Sequence, residues 1–177
     1  MSLEVTSLRA LAHPVRLQIL SLLTGAALSA TEVAEELGIT QANASYHLRA
    51  LASAGYLVVD SEERIRGGLA KRYRHPWDRE VPGGPARAED YLLYVQAAAG
   101  ELVRRATYRD HEVEPRSETD AELWVDPEVW AEVVDYVERA SALLHESALP
   151  PRTEGAMRVN MTASLFAMRV QREGDDR

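Results

Sequence analysis

The sequence predicts an α+β chain in two parts, a mostly helical N-terminal domain closed by a β-hairpin and then a small α+β module. Three observations carry this. Helical apolar spacing recurs four times within the first 55 residues, and two β-prone runs around Gly67-Gly68 follow. The stretch PWDREVPGGPARAED, with three prolines and a Gly-Gly pair, then separates these elements from a second set of periodic segments. At 177 residues and 46% hydrophobic content, the chain can build one generous domain or two small ones sharing a core.

The boundaries drawn from these signals are 1–76 for the first domain, 77–87 for a linker, 88–170 for the second module and 171–177 for a disordered tail. Residues 3–11 carry Leu3, Leu8 and Leu11 at helical spacing, and 14–23 carry Val15, Leu17, Ile19, Leu20, Leu22 and Leu23. His13-Pro14 divides the two, because proline restricts its predecessor and suits a first helical turn. A third helix is expected over about 31–37, capped by Ser29 or Thr31 and stopped by Gly38. A fourth opens at Thr40 and ends before Gly55. Tyr56–Ser61 and Lys71–His75 read as the arms of a hairpin.

In the second part, 88–106 shows Leu92, Val95, Ala99, Leu102 and Ala106 on one stripe, a helix of about five turns. Residues 108–120 read as an exposed irregular segment, and ELWV at 122–125 as a short strand. Asp126-Pro127 then opens a helix to about 147, with Val129, Val133, Val137, Ala140 and Leu144 as its inner stripe. Met157, Val159, Met161, Ala163, Leu165 and Ala167 alternate with mostly polar neighbours, which is a strand pattern.

Composition removes several classes of function. With no cysteine there is no disulfide, thiolate metal site, iron–sulfur cluster or cysteine nucleophile. No basic stretch leads into a long apolar core at the N-terminus, and nowhere do 18 apolar residues run together. A soluble cytoplasmic protein without a membrane partner is expected. The net charge of −8 sits in the second half, since residues 1–80 hold nine basic and nine acidic side chains. Residues 40–79 hold seven basic against four acidic ones, and a polyanion responds to that local field.

The fourth helix, within TQANASYHLRALASAGYL, poses the functional question. With Ala44 at the centre of its buried face, Leu48 and Leu51 fall within about 40°, and Ala42, Ser45, Tyr46 and Arg49 fall on the far side. A helix N-terminus offers free N–H groups to phosphate, Gln and Asn pair bidentately with adenine, and Arg pairs with guanine. The candidates for contact with double-stranded DNA are therefore Thr40, Gln41, Ala42, Asn43, Ser45, Tyr46, His47 and Arg49. His47 is open to a second reading, as an inter-helix contact. On the hairpin, Arg64, Arg66, Lys71 and Arg72 are spaced to neutralise phosphates.

The order of three helices, a three-residue turn, a fourth helix and a basic hairpin is that of a winged helix-turn-helix. The segments LRALAHPVRLQILSLL, ATEVAEELGITQANASYHLRALASAGYL and GGLAKRYR resemble the ArsR-type bacterial transcriptional regulators over about residues 5–76. The resemblance implies that the helix entered by Thr40 lies in the major groove and that the wing touches flanking backbone or minor groove. It implies a transcriptional regulator with an appended C-terminal domain. The chain departs from the metal-sensing members, because the helix that should bear a cysteine pair reads ATEVAEEL.

Other chemistries find less support. His111-Glu112 and His145-Glu146 lack the second histidine four residues on that a helical zinc site requires. The cluster Asp110, His111, Glu112 and Glu114 reads as a solvated loop or a carboxylate-rich site. IRGGLAK lacks phosphate-loop spacing, and no nucleophile, base and acid are arranged for catalysis, so neither an enzyme nor a cofactor is expected. A homodimer on a pseudo-palindromic operator is expected, because one winged helix covers few base pairs. Its interface is assigned to Leu8, Leu11, Leu92, Val95, Ala99 and Leu102. Tyr91, Tyr94, Trp124 and Trp130 either pack in a core and dimer interface or line a pocket for a small organic effector. A winged helix used only as a protein-docking module is the alternative to DNA binding.

Overall fold

The computed structural model describes residues 7–65, 68–79 and 87–169. Helix α1 (Ser7–Leu11) meets α2 (Pro14–Thr24) at His13, whose Nδ1 accepts the Val15 N–H at 3.2 Å while Pro14 takes the first turn. A two-residue strand, β1 (Leu28–Ser29), leads into α3 (Ala30–Leu37). Of the two expected caps, Ser29 is the one used. Its hydroxyl accepts from the Glu32 N–H, and the Glu32 carboxylate accepts from the Ser29 N–H at 2.8 Å, a capping box that closes two orphan donors.

Gly38, left-handed at φ 64, ends α3 and starts the three-residue turn to α4 (Gln41–Ser53). Thr40 caps α4 through its hydroxyl, which accepts the Asn43 N–H at 3.2 Å. Gly55, at φ 83, reverses the chain into β2 (Val58–Ile65), which pairs antiparallel with β3 (Gly68–Arg74). β1 joins the other edge of β3, with Leu28 opposite Tyr73, giving the sheet order β1-β3-β2. At two residues, β1 is too short to leave an alternation in the sequence.

The core lies within residues 10–57. Ile19, Leu23, Val33, Leu48 and Leu51 are its largest fully buried side chains, drawn from α2, α3 and α4. Burying each contributes about 1.5–3 kcal/mol, so these five fix how α4 is held across α2 and α3. The result is a winged helix-turn-helix with α4 as its second helix.

Helix α5 (Ala88–Ala106) packs back on α1 and α2. Two buried carboxylates seat it. Glu101 accepts from Gln18 Nε2 at 2.6 Å and pairs with Arg104 at 2.9 Å, and Asp90 faces Arg9 at 3.7 Å. Helix α6 (Pro127–Glu146) begins, as the sequence predicts, with Asp126 as N-cap and Pro127 in its first turn. Gly25 lies so close to the backbone after α6 that a Cβ there would sit 2.3 Å from the Leu149 carbonyl oxygen.

Two expectations fail in this half. Residues 122–125 and 157–167 form no strand, and among the described residues neither segment takes part in a backbone–backbone hydrogen bond. Alternation specifies which face a strand buries, but a strand exists only with a neighbour to pair with, and among the described residues no strand pairs with them. The inner stripe assigned to α6 is also corrected. Val129, Val133, Ala140 and Leu144 are exposed, Val137 is half-buried, and α6 has no buried residue. Among the described residues the sheet is thus confined to the first domain, and the regular structure of the second module is helical.

Candidate nucleic-acid interface

Helix α4 divides into two faces as its periodicity requires. Ala44, His47, Leu48 and Leu51 are buried, while Gln41, Ala42, Asn43 and Arg49 are exposed, Ser45 is half-buried and Tyr46 is 56% exposed. Thr40 stands exposed at its start, and no acidic residue occupies the first turn. The positive end of the helix dipole is therefore not offset by its own side chains. Arg49 Nε donates to the Ser45 carbonyl at 3.2 Å, which holds its guanidinium along the outer face.

His47 does not belong to that face. It is 4% exposed, its ring lies 4.5 Å from that of His13, and its Nδ1 accepts from Arg16 Nε at 3.4 Å. The reason is angular: His47 sits about 60° from Ala44 on the helix wheel, in the same half as Leu48 and Leu51. Arg16 also donates to the Ala10 carbonyl at 2.9 Å, so one guanidinium ties α1, α2 and α4 together. Burial and the charge on Arg16 hold the His13 ring below the ordinary histidine range. Burial, then His13 and Arg16, do the same for His47.

The wing is less basic than its cations suggest. Lys71 lies 3.4 Å from Glu62, and Arg74 lies 3.3 Å from Asp60. Arg64 is exposed opposite Leu69 and has no ion pair among the described residues, and Arg66 lies outside them. Arg72 departs from its expected role at phosphate. Its guanidinium donates to Glu32 at 2.7 Å and lies 3.8 Å from Glu63, with a quarter of the side chain exposed. Burial pushes the Glu32 carboxyl up, but the Ser29 N–H and hydroxyl and the Arg72 charge outweigh it and hold the group below its ordinary value. Arg72 thus fastens β3 to the capping box of α3.

In the second module the structure brings together only some of the expected residues. Tyr91 and Tyr94 lie 6.3 Å apart, and Tyr91 contacts Phe166 at 6.2 Å, but Trp124 is 88% exposed and joins no aromatic group among the described residues. A cleft of about 520 Å³ does exist between α2, α5 and α6, with Tyr94, Glu101, Arg105, Val137, His145 and Met161 among its walls. Of the four aromatic residues only Tyr94 lines it. Trp130 is half-buried elsewhere. Of the expected dimer residues, Leu92, Ala99 and Leu102 are exposed along α5 and Val95 is half-buried. Leu8 and Leu11 are half-buried on α1, which is engaged with the chain's own α5.

Sequence reasoning offers the inter-helix role of His47 but misses its partners Arg16 and His13, and it misses the Glu32–Arg72 pair. The signals present are the wheel angle of His47 and the capping-box spacing of Ser29 and Glu32. The acidic segment around His111 is exposed, with Glu114 paired to Arg116 at 3.0 Å. No helix among the described residues is long and apolar enough to cross a membrane.

Residues 11–59, which span α2 through the start of β2, match the family described as a helix-turn-helix domain. A comparison with curated proteins finds no match. The match covers the buried core except Ala10 and the whole of α4, so the element with the free polar face is the second helix of that motif. The chain carries a helix-turn-helix domain, the kind of module with which transcription regulators bind DNA.

Proposed function

We propose that this protein is a sequence-specific regulator of transcription of the ArsR-like winged-helix type, working as a dimeric repressor on a pseudo-palindromic operator. The observation that carries the reading is the outer face of α4. Gln41, Asn43, Tyr46 and Arg49 are exposed on a helix whose opposite face is locked into the core, and nothing acidic stands at its N-terminus. In a major groove, Gln41 and Asn43 read adenine edges, and Arg49 reads guanine or grips phosphate. Thr40, Ala42 and Ser45 complete the contact surface.

The wing contributes Arg64, Arg66 and Lys71 as sequence-independent phosphate contacts. Two half-sites require two copies, and the exposed α5 stripe of Leu92, Ala99 and Leu102 supports self-association. The module from 88 to 170 is the place for a small organic effector, and the α2–α5–α6 cleft is the cavity available to it. The reaction repertoire is binding alone, in the cytoplasm, without metal or cofactor. Selection from a randomised operator library tests the reading. A recovered consensus with two-fold symmetry supports it, whereas uniform binding of all sequences, or none, returns the chain to the protein-docking class.

A further inference from the structure

Helix α6 carries an apolar stripe that its own chain leaves uncovered. Val129, Val133, Tyr136, Ala140 and Leu143 follow one another at spacings of four, three, four and three, the period of a seam between two helices. All five are exposed, the four larger side chains from 40% at Val133 to 65% at Leu143. The side of α6 turned toward the cleft is a different one, carrying Val134, Val137, Ser141 and His145.

The exposed area of the whole chain says how much cover is missing. It is 14073 Å², against about 8,600 Å² for a compact monomer of this mass. Granting the residues outside the described set the full area of an extended chain, about 160 Å² each, still leaves an excess of about 1,800 Å². The irregular segments on either side of α6, with Trp124, Met157 and Phe166 exposed, share in that excess, and since a standard interface takes about 800 Å² from each partner the α6 face needs only part of it.

We infer that the α6 stripe is the pairing surface for a second copy of this chain, two α6 helices lying antiparallel about a two-fold axis at Tyr136. The stripe reads almost the same in both directions. With Tyr136 on the axis, Val129 meets the partner's Leu143 and Val133 meets the partner's Ala140. The flanking charges select the orientation. Glu132 and Arg139 lie on the same flank of the seam, and in an antiparallel pair like flanks meet, so Glu132 faces the partner's Arg139. A parallel pair would set Glu132 against the opposite flank, where Trp130 and Val137 stand. This rests on the dimeric part of the function proposed above, with the seam on α6 in place of the α5 stripe, and not on DNA recognition.

The absence of native cysteine makes the test direct. Tyr136→Cys in the full chain should oxidise to a covalent dimer in more than half of the molecules. Val129→Cys alone should stay unlinked, because the antiparallel pair holds its two copies about 21 Å apart. Ala131→Cys, on the other side of α6, is the control. Sedimentation of Val133→Glu should show a dimer dissociation constant raised on the order of tenfold or more. Since α6 has no buried residue, circular dichroism should report an intact first domain in each variant. Failure of Tyr136→Cys to link while wild type sediments as a dimer overturns the seam and leaves the operator reading standing. Linkage only in a Tyr136→Cys, Leu102→Cys double variant would instead lay α6 on the partner's α5 and overturn it as well.

Discussion

Arg72 on the wing donates to Glu32 in the first turn of α3 at 2.7 Å, and this contact fastens β3 to the helix that precedes α4. Glu32 is shared, because the same carboxylate accepts the Ser29 N–H and hydroxyl. Glu32→Ala should lose both functions and cost about 1–2 kcal/mol, most of it from the cap. Glu32→Gln keeps a capping-box residue and loses only a partly exposed ion pair, so it should cost about 0.5 kcal/mol or less. Urea unfolding of the two variants measures the difference, and equal losses would show that the cap contributes nothing.

The α4 face should behave as a reader. Replacing Gln41, Asn43 or Arg49 with Ala is expected to cost on the order of 1–3 kcal/mol where a base contact is lost, and to relax preference at particular operator positions. Selection from a randomised library scores each variant. Tyr46→Phe, which keeps the ring, isolates any contribution of the hydroxyl.

The wing should show up in salt dependence. Neutralising Arg64 or Lys71 is expected to weaken all sequences alike and to lower the slope of log affinity against log salt by roughly one unit per lost phosphate contact. Arg72→Ala should differ, reducing stability through Glu32 while leaving that slope nearly unchanged. If Arg72→Ala flattens the slope as much as Lys71→Ala, the guanidinium leaves Glu32 on binding.

The legible part of this fold is the part whose signals are local. Caps at Thr40 and Asp126, the stop at Gly38 and the reversal at Gly55 all lie within a few residues of what they determine, and the structure has each of them. The alternation over Met157–Ala167 was just as plain, yet no strand forms, because a strand's partner is a long-range fact. The same divide runs through the candidate site. Periodicity separates Tyr46 and Arg49 from Leu48, but that Arg72 meets Glu32 forty residues away, or that Arg16 reaches His47, is decided by packing.

The His13–His47 contact beneath α4 gives the last prediction. The two rings lie 4.5 Å apart beside Arg16, and burial with that neighbouring charge lowers the pKa of each below 6.5. In the unfolded chain both titrate normally and bind protons at a higher pH than in the folded one. The unfolded state therefore gains protons first as pH falls. The pair's contribution to stability is complete above about pH 6.5 and is lost as pH drops through the folded-state values. Unfolding free energy measured from pH 8 to pH 5 should decline below 6.5 in the wild type. His47→Leu removes one proton site and the charge facing His13, so its profile should be flatter over that window. A His47→Leu profile as steep as the wild type would assign the acid sensitivity to other groups, His75 first among them, whose pKa is lowered by burial and by His145 and Arg74 despite the opposing hydrogen bond to the Tyr56 carbonyl.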